Sequence, residues 1–268
     1  MFVDSHCHLS FPELRDRVDD IRADMAAAKV DRALVICTTL EEFSIVHGLA
    51  RRYDNFWASA GVHPDNEDIE EPTLERLLEL ARQPKVVAIG ETGLDYYRLN
   101  GRSIDEMAWQ RERFRVHIRA ARASGLPLII HTRSASEDTL AILREEQGGA
   151  ADGGPGGVFH CFTETAAVAR AALDLGFHVS FSGIITFRNA EDLRDVARFV
   201  PLERCLIETD SPYLAPVPYR GKTNSPAYVP HVAAQVAALK GLSLEAVAEA
   251  TSRNFERLFK LPPPAGNT

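Results

Sequence analysis

At 268 residues, 45% hydrophobic and 25% charged, the chain has the composition of a soluble globular protein and the length of one large domain or two small ones. No apolar run approaches the roughly 18 residues of a membrane span, and no secretory signal precedes Asp4. The formal net charge of −8 argues against holding nucleic acid by charge alone, so action on phosphates would need bound cations and a few local Lys or Arg side chains.

The chain opens on Phe2-Val3-Asp4-Ser5-His6-Cys7-His8, a mostly apolar run that reads as a strand. Side chains two apart on a strand share a face, so His6 and His8 project together and can share one divalent cation. Residues 13–29 follow as an amphipathic helix, with Leu14, Val18, Ile21 and Met25 at helical spacing. Residues 33–37 read as a buried strand, 42–52 as a helix, and 57–63 as a third strand closed by Pro64. After a helix over 73–82, a fourth strand over 86–91 ends in the carboxylate of Glu91.

Ser103-Ile104-Asp105-Glu106 has the form of a capping box, in which Ser and Glu each satisfy a free backbone N–H at a helix start. Behind it Met107, Phe114, Ile118 and Ala121 mark one helical face, and Gly125 stops the helix. Strand five spans 126–131 and is followed by a helix over 137–146. The Gly-rich stretch 148–157 joins a helix to the next strand, so it belongs to the bottom of a barrel as a connector. Strand six at 158–160, a helix over 166–175, strand seven over 178–185, a helix over 190–199 and strand eight over 205–210 come next. Two helices, near 229–240 and 244–259, complete a single domain over 1–262, and 263–268 reads as a flexible Pro-rich tail.

Eight strands, each followed by a helix, imply a parallel sheet, and about 250 residues is the usual length of a (β/α)8 TIM barrel. An open doubly wound sheet would gather its polar groups at one switch point, after one or two strands. Here His6 and His8 end strand one, His63 ends three, Glu91 four, His131 five, His160 six and Asp210 eight. A barrel brings those ends together at its C-terminal mouth. That convergence points to metal. Glu91, with two oxygens, can bridge two cations, with His6, His8 and Asp210 around one and His131 and His160 around the other. Two ions about 4 Å apart would stabilise the attacking and leaving oxygens of an in-line displacement. Asp210 is the best general base, able to take the proton of a metal-activated water.

Glu208 reads as a deeper interior residue that needs a partner. His47 and His117, in helical stretches, read as solvated, and His178 as lying on the face away from the site. Cys7 and Cys161 point outward to the helix layer by alternation. Cys7, Cys37, Cys161 and Cys205 form no C-x-x-C pair, and reduced thiols fit a cytoplasmic location. Arg133, Tyr96-Tyr97-Arg98 and the segment Tyr219 to Asn224 fall on top-face loops, where cations and aromatic rings can grip phosphates and stack bases.

Several segments resemble the TatD-type metal-dependent deoxyribonucleases of the amidohydrolase-like barrels. They are Asp4-Ser5-His6-Cys7-His8-Leu9, Gly61-Val62-His63-Pro64, Gly90-Glu91-Thr92-Gly93-Leu94-Asp95-Tyr96-Tyr97, His131-Thr132-Arg133 and His160-Cys161-Phe162. Glu208-Thr209-Asp210-Ser211-Pro212-Tyr213-Leu214 and Arg220-Gly221-Lys222-x-Asn224 continue the match. The resemblance implies a divalent-metal hydrolase with ligands at His6, His8, Glu91, His131, His160 and Asp210. It also implies cleavage of phosphodiester bonds in DNA, often exonucleolytic on single strands. Ser134 stands where the family often has an acidic residue, and Ser225 where Glu is frequent.

The expectation is therefore a (β/α)8 barrel hydrolase with two divalent cations (Mg, Mn or Zn), cleaving single-stranded DNA by a metal-activated water. Asp210 and Glu91 are assigned to catalysis, and His63, Arg133, Arg220, Lys222 and Asn224 to substrate binding. DNA or another phosphodiester is the expected partner, with no membrane and no obligate protein partner. One alternative is a barrel metallohydrolase of a small ester, lactone or amide, aminoacyl esters included, which would not need Arg133, Arg220 and Lys222. The other is a non-catalytic metal-binding barrel, which would have no use for a poised base.

Overall fold

The computed structural model describes residues 1–262, so the tail expected over 263–268 lies outside the described residues. Eight strands pair in sequence order and in parallel: β1 (Phe2–Cys7), β2 (Val30–Val35), β3 (Phe56–Ala60), β4 (Val86–Asp95), β5 (Leu128–Arg133), β6 (Gly157–Phe159), β7 (His178–Phe181) and β8 (Cys205–Ile207). The seam between first and last strand is closed by a bridge from Cys7 to Ser211. Beside it, the His8 N–H donates to the Ser211 carbonyl at 2.8 Å and the Asp210 N–H to the His6 carbonyl at 3.0 Å. This is a TIM barrel.

Nine helices alternate with or follow the strands among the described residues: α1 (Val18–Ala27), α2 (Phe43–Arg52), α3 (Leu74–Ala81), α4 (Ala108–Ser124), α5 (Ser136–Glu145), α6 (Ala166–Asp174), α7 (Glu191–Phe199), α8 (Val229–Lys240) and α9 (Leu244–Leu258). Strands flanked by helices and filled from within are buried on both faces, which is why they read as continuous apolar runs. Val3, Leu34, Ile36, Ile129, Val158 and Leu206 form one apolar cluster, against which Phe255 and Phe259 pack from the C-terminal end of α9. The larger cluster lies between strands and helices.

The capping box at Ser103 and Glu106 forms as expected, each side chain meeting the other's backbone N–H. Several element ends differ from expectation. The first helix is a 3-10 turn (Arg15–Arg17) leading into α1, and strand seven stops at Phe181, before a second 3-10 turn (Gly183–Thr186). β4 runs on to Asp95, because Gly93, Leu94 and Asp95 continue the ladder against His131, Thr132 and Arg133. β8 stops at Ile207, and Asp210 lies beyond it with a φ of 56°. Register shifts occur in β1 between Asp4 and Cys7 and in β4 between Ile89 and Thr92. Such bulges re-aim side chains beside functional sites, and these two flank His6 and Glu91.

His117 is a correction: it is fully buried, not solvated. It lies on the same face of α4 as Phe114, Ile118 and Ala121, the face packed against the barrel. Its Nδ1 donates to the Arg113 carbonyl at 2.8 Å, and its Nε2 accepts the Val62 N–H at 3.0 Å, one residue before His63. Burial pushes this imidazole down to about 4, against the opposing pull of its bond to the Arg113 carbonyl. A folded value below the unfolded one of about 6.5 means that stability falls as pH drops from about 6.5 towards 4, while the unfolded chain takes up the proton first. His117→Gln should flatten that part of the stability–pH curve in urea unfolding. His117→Ala should cost about 1–3 kcal/mol at pH 7, by leaving the Val62 N–H without an acceptor.

Candidate metal centre

The C-terminal mouth encloses a cavity of about 750 Å³. His8 reaches it from just past β1, with His6 fully buried on that strand, His63 reaches it from the loop after β3, and Glu91 and Asp95 from one face of β4. His131 comes from β5, His160 from just past β6, and Asp210 from just past β8. Two glycines allow the crowding. A Cβ on Gly61 would sit 2.5 Å from the Gly90 carbonyl carbon, and one on Gly93 would sit 1.9 Å from the His131 oxygen. Gly93 also has a φ of 134°, which only glycine adopts without strain.

Glu91 stands at the centre, and its two oxygens face different groups. Oε2 lies 3.2 Å from His6 Nε2 and 3.9 Å from His8 Nε2. Asp210 Oδ1 completes that group, 3.2 Å from His8 Nε2 and 3.6 Å from His6 Nε2, while the two imidazole nitrogens are 3.2 Å apart. Oε1 instead faces His160 Nε2 at 2.7 Å, His131 Nδ1 at 3.3 Å and His63 Nε2 at 3.4 Å.

These spacings suit a metal. Donors held about 2.0–2.1 Å from one ion stand about 3.0–3.4 Å from each other in octahedral or tetrahedral arrangements. His160 Nε2 is buried and makes no hydrogen bond despite its nearness to Glu91, as a nitrogen aimed at a shared point between ligands would. The far nitrogens of the second group are held by carboxylates: His63 by Asp65, His131 by Asp95 at 3.0 Å, and His160 by Glu208 at 3.3 Å. Carboxylates in that position fix the tautomer and orientation of metal-binding histidines. Glu208 thereby has the partner its buried position demands, and it also accepts the Cys161 N–H at 2.7 Å.

The electrostatics follow from burial and proximity. Burial opposes the charge of Glu91, but His160, His63 and His6 outweigh it and hold its carboxyl well below the usual carboxylate range. Burial likewise opposes a proton on His63, yet Glu91 and Asp65 raise it to about 10. His6 is pushed down by burial and by its stacked neighbour His160, whose ring centroid is 3.9 Å away. Asp210 is lowered because His8, His6 and His160 outweigh its burial.

The structure gathers His6, His8, Glu91, His131, His160 and Asp210, and it adds His63, assigned above to substrate, to the group around Glu91 Oε1. Arg133 lines the mouth with its guanidinium 3.6 Å over the Tyr97 ring. Arg220 lines a neighbouring groove instead, and Lys222 is exposed outside the mouth, with its Nζ 5.8 Å from the Tyr219 ring. Asn224 is not brought to the mouth. It is fully buried, and its amide donates to the Thr209 and Tyr213 carbonyls at 2.8 and 2.6 Å, bracing the loop after β8. Ser225 caps the 3-10 turn Pro226–Tyr228.

Cys161 is a further correction. It lines the mouth, because β6 ends at Phe159 and the Cys161 φ of 41° breaks the alternation. Cys7 points outward as expected, its Sγ 3.4 Å from the Leu34 carbonyl. Asp65 and Asp95 escaped the sequence reading. Asp95 was detectable, since it stands four residues beyond Glu91 on the same face of a strand.

A family model described as TatD related DNase matches residues 3–260. The chain belongs to the TatD family. It is 50% identical to the metal-dependent hydrolase YcfH of Escherichia coli K12 over 262 residues, covering 97% of this chain and 96% of that protein. It is 36% identical to the 3'-5' ssDNA/RNA exonuclease TatD of Escherichia fergusonii, over 91% of this chain and 93% of that one. Among solved structures, the TatD homologue YJJV of Escherichia coli K12 superposes with a TM-score of 0.86 at 29% identity, over 97% of this chain and 98% of the other. This TatD-family chain is thus a member of a metal-dependent hydrolase family, with His and Glu groups at its mouth that could hold an ion. No helix among the described residues is long and apolar enough to cross a membrane.

Because each of these side chains lies on a strand or within three residues of the end of one, and the strands are already paired by backbone hydrogen bonds, chelation should abolish activity and leave the far-ultraviolet dichroism of the barrel largely intact. Divalent metal added back should raise Tm, since it binds the folded chain. In Glu91→Ala, which removes an oxygen from both groups, elemental analysis should find most of the bound metal gone. Full activity in a metal-free sample would overturn the assignment.

Proposed function

We propose that this protein is a two-metal phosphodiesterase that removes nucleotides from an end of single-stranded DNA. The observation that carries the reading is the division of Glu91 between two groups of donors, one at each oxygen. Divalent cations held there would supply Lewis acidity towards phosphoryl oxygens and bring the pKa of water towards neutrality. Glu91, with its side chain 3% exposed, is walled off and serves to hold the two groups in register. Asp210, with its side chain 15% exposed and its carboxyl kept ionised by neighbouring histidines, is the carboxylate that water can reach and the acceptor of its proton.

Arg133 supports a polyanionic substrate. No carboxylate pairs with it among the described residues, and Tyr97 covers one face of its guanidinium while leaving the N–H edge available to a phosphate. Tyr97 is itself 59% exposed, a platform on which a base can stack. The Escherichia fergusonii relative named as a 3'-5' ssDNA/RNA exonuclease points the same way. All four cysteines are free thiols, which accords with action in the cytoplasm.

Metal-loaded protein incubated with end-labelled single-stranded DNA, beside a p-nitrophenyl ester, should degrade the DNA and turn over the ester poorly. The reverse preference would replace this reading with a small-ester hydrolase. Asp210→Asn should lower kcat by ~100-fold or more with little change in KM; a loss of affinity in proportion to rate would make Asp210 a positioning group. Arg133→Ala should raise KM for the oligonucleotide and lower the salt slope of its binding by about 0.7.

A further inference from the structure

We propose that the groove between the loops after β7 and β8 is a second nucleotide subsite, holding a phosphate and base of the same strand beyond the one at Glu91; it rests on the phosphodiesterase reading above. The groove is a cavity of about 480 Å³ lined by Phe187, Arg188, Asn189, Val217 and Arg220. None of these residues lines the metal mouth, yet the two are continuous along the chain. Ile184 and Leu214 wall the mouth, and Phe187 and Val217 stand three residues further along the same two loops.

The loops are fastened to each other. The Val217 N–H donates to Thr186 Oγ1 at 2.9 Å. A Cβ on Gly183 would lie 2.0 Å from the Leu214 carbonyl oxygen, so the close approach requires glycine. Arg194 donates to the carbonyls of Phe187 at 2.8 Å and Arg188 at 3.2 Å, and its charge is met by Glu191. That cation is therefore occupied in holding the loop. Arg188 and Arg220 are not: neither pairs with a carboxylate among the described residues.

Arg220 lies with its guanidinium 3.6 Å over the Phe187 ring, which covers one face and leaves the planar N–H edge for a ligand. The same arrangement, at the same distance, occurs in the mouth at Arg133 and Tyr97. One stacked arginine ends β5 and the other lies in the loop after β8, so they approach the mouth from different strands. An extended polyanion crossing the mouth would meet both. Val217, 49% exposed, offers apolar surface to a base, and Asn189 offers donors and an acceptor to its edge. In a chain of net charge −8, two arginines without carboxylate partners in one groove make a local anion-attracting surface, and the anion that the phosphodiesterase reading brings to this face is a phosphate chain.

The test compares oligodeoxynucleotides of two and ten residues, with kcat/KM measured for each. Binding of a fluorescent ten-residue strand to chelator-treated protein is followed by anisotropy. The wild-type protein should prefer the longer strand. In Arg188→Gln the ratio of kcat/KM between long and short strands should fall roughly tenfold, and the salt slope of binding should drop by about 0.7. Val217→Glu, which sets a negative charge in the groove, should lower the ratio further. Both side chains are exposed at the surface, and circular dichroism checks that both variants fold. If wild-type protein binds and cleaves the long strand but both variants keep its ratio and its affinity, the groove is no subsite and the phosphodiesterase reading stands. If wild-type protein neither binds nor cleaves any oligonucleotide, both fall.

Discussion

An ionised carboxylate cannot be carried into the interior of a barrel without opposing charge around it, and Glu91 is such a group. Its neighbours are arranged on that account. Four imidazoles approach its oxygens within 3.4 Å, and two of them, His6 and His160, are stacked on each other. Three further carboxylates, Asp65, Asp95 and Glu208, stand behind the histidines around one oxygen and set which way those rings face. The bulge in β4 and the glycines at 61 and 93 serve the same end, since without them the strands could not approach closely enough to share one carboxylate.

The other oxygen of Glu91 depends on the barrel seam. Asp4, fully buried, accepts from the Thr209 N–H at 2.9 Å, the Thr209 hydroxyl at 2.6 Å and the His6 N–H at 3.2 Å. It therefore ties the strand bearing His6 and His8 to the segment bearing Asp210. Among the described residues one bridge closes the seam, from Cys7 on β1 to Ser211 beyond β8, and these side-chain bonds replace part of a missing ladder.

Strand periodicity made much of this legible. Polar residues at the ends of six separate apolar runs have one economical arrangement, a closed barrel, and that inference needed no detail of packing. What escaped it depended on departures from periodicity or on a second element. Asp95 was passed over because a strand was ended at its first carboxylate, whereas the ladder to β5 carries it on. Cys161 was turned outward by an alternation that lapses once β6 has ended. His117 looked solvated because polarity outweighed its place on the apolar face of α4; its acceptor role towards the Val62 N–H cannot be seen without β3 beside it. Asn224 shared a motif with two cations but is held by backbone carbonyls that only the folded loop presents.

The seam also has a consequence for biosynthesis. The donors around one oxygen of Glu91, namely His63, His131 and His160, all lie within the first 160 residues of the chain. Those around the other oxygen join His6 and His8 to Asp210, a sequence separation of 202 residues for the His8–Asp210 contact. All five of these imidazoles are therefore synthesised before Asp210, the last of the donors in the chain. The group around Oε2 can be assembled only after all eight strands have been made and the seam has closed, so topology sets the order in which the two halves of the site form.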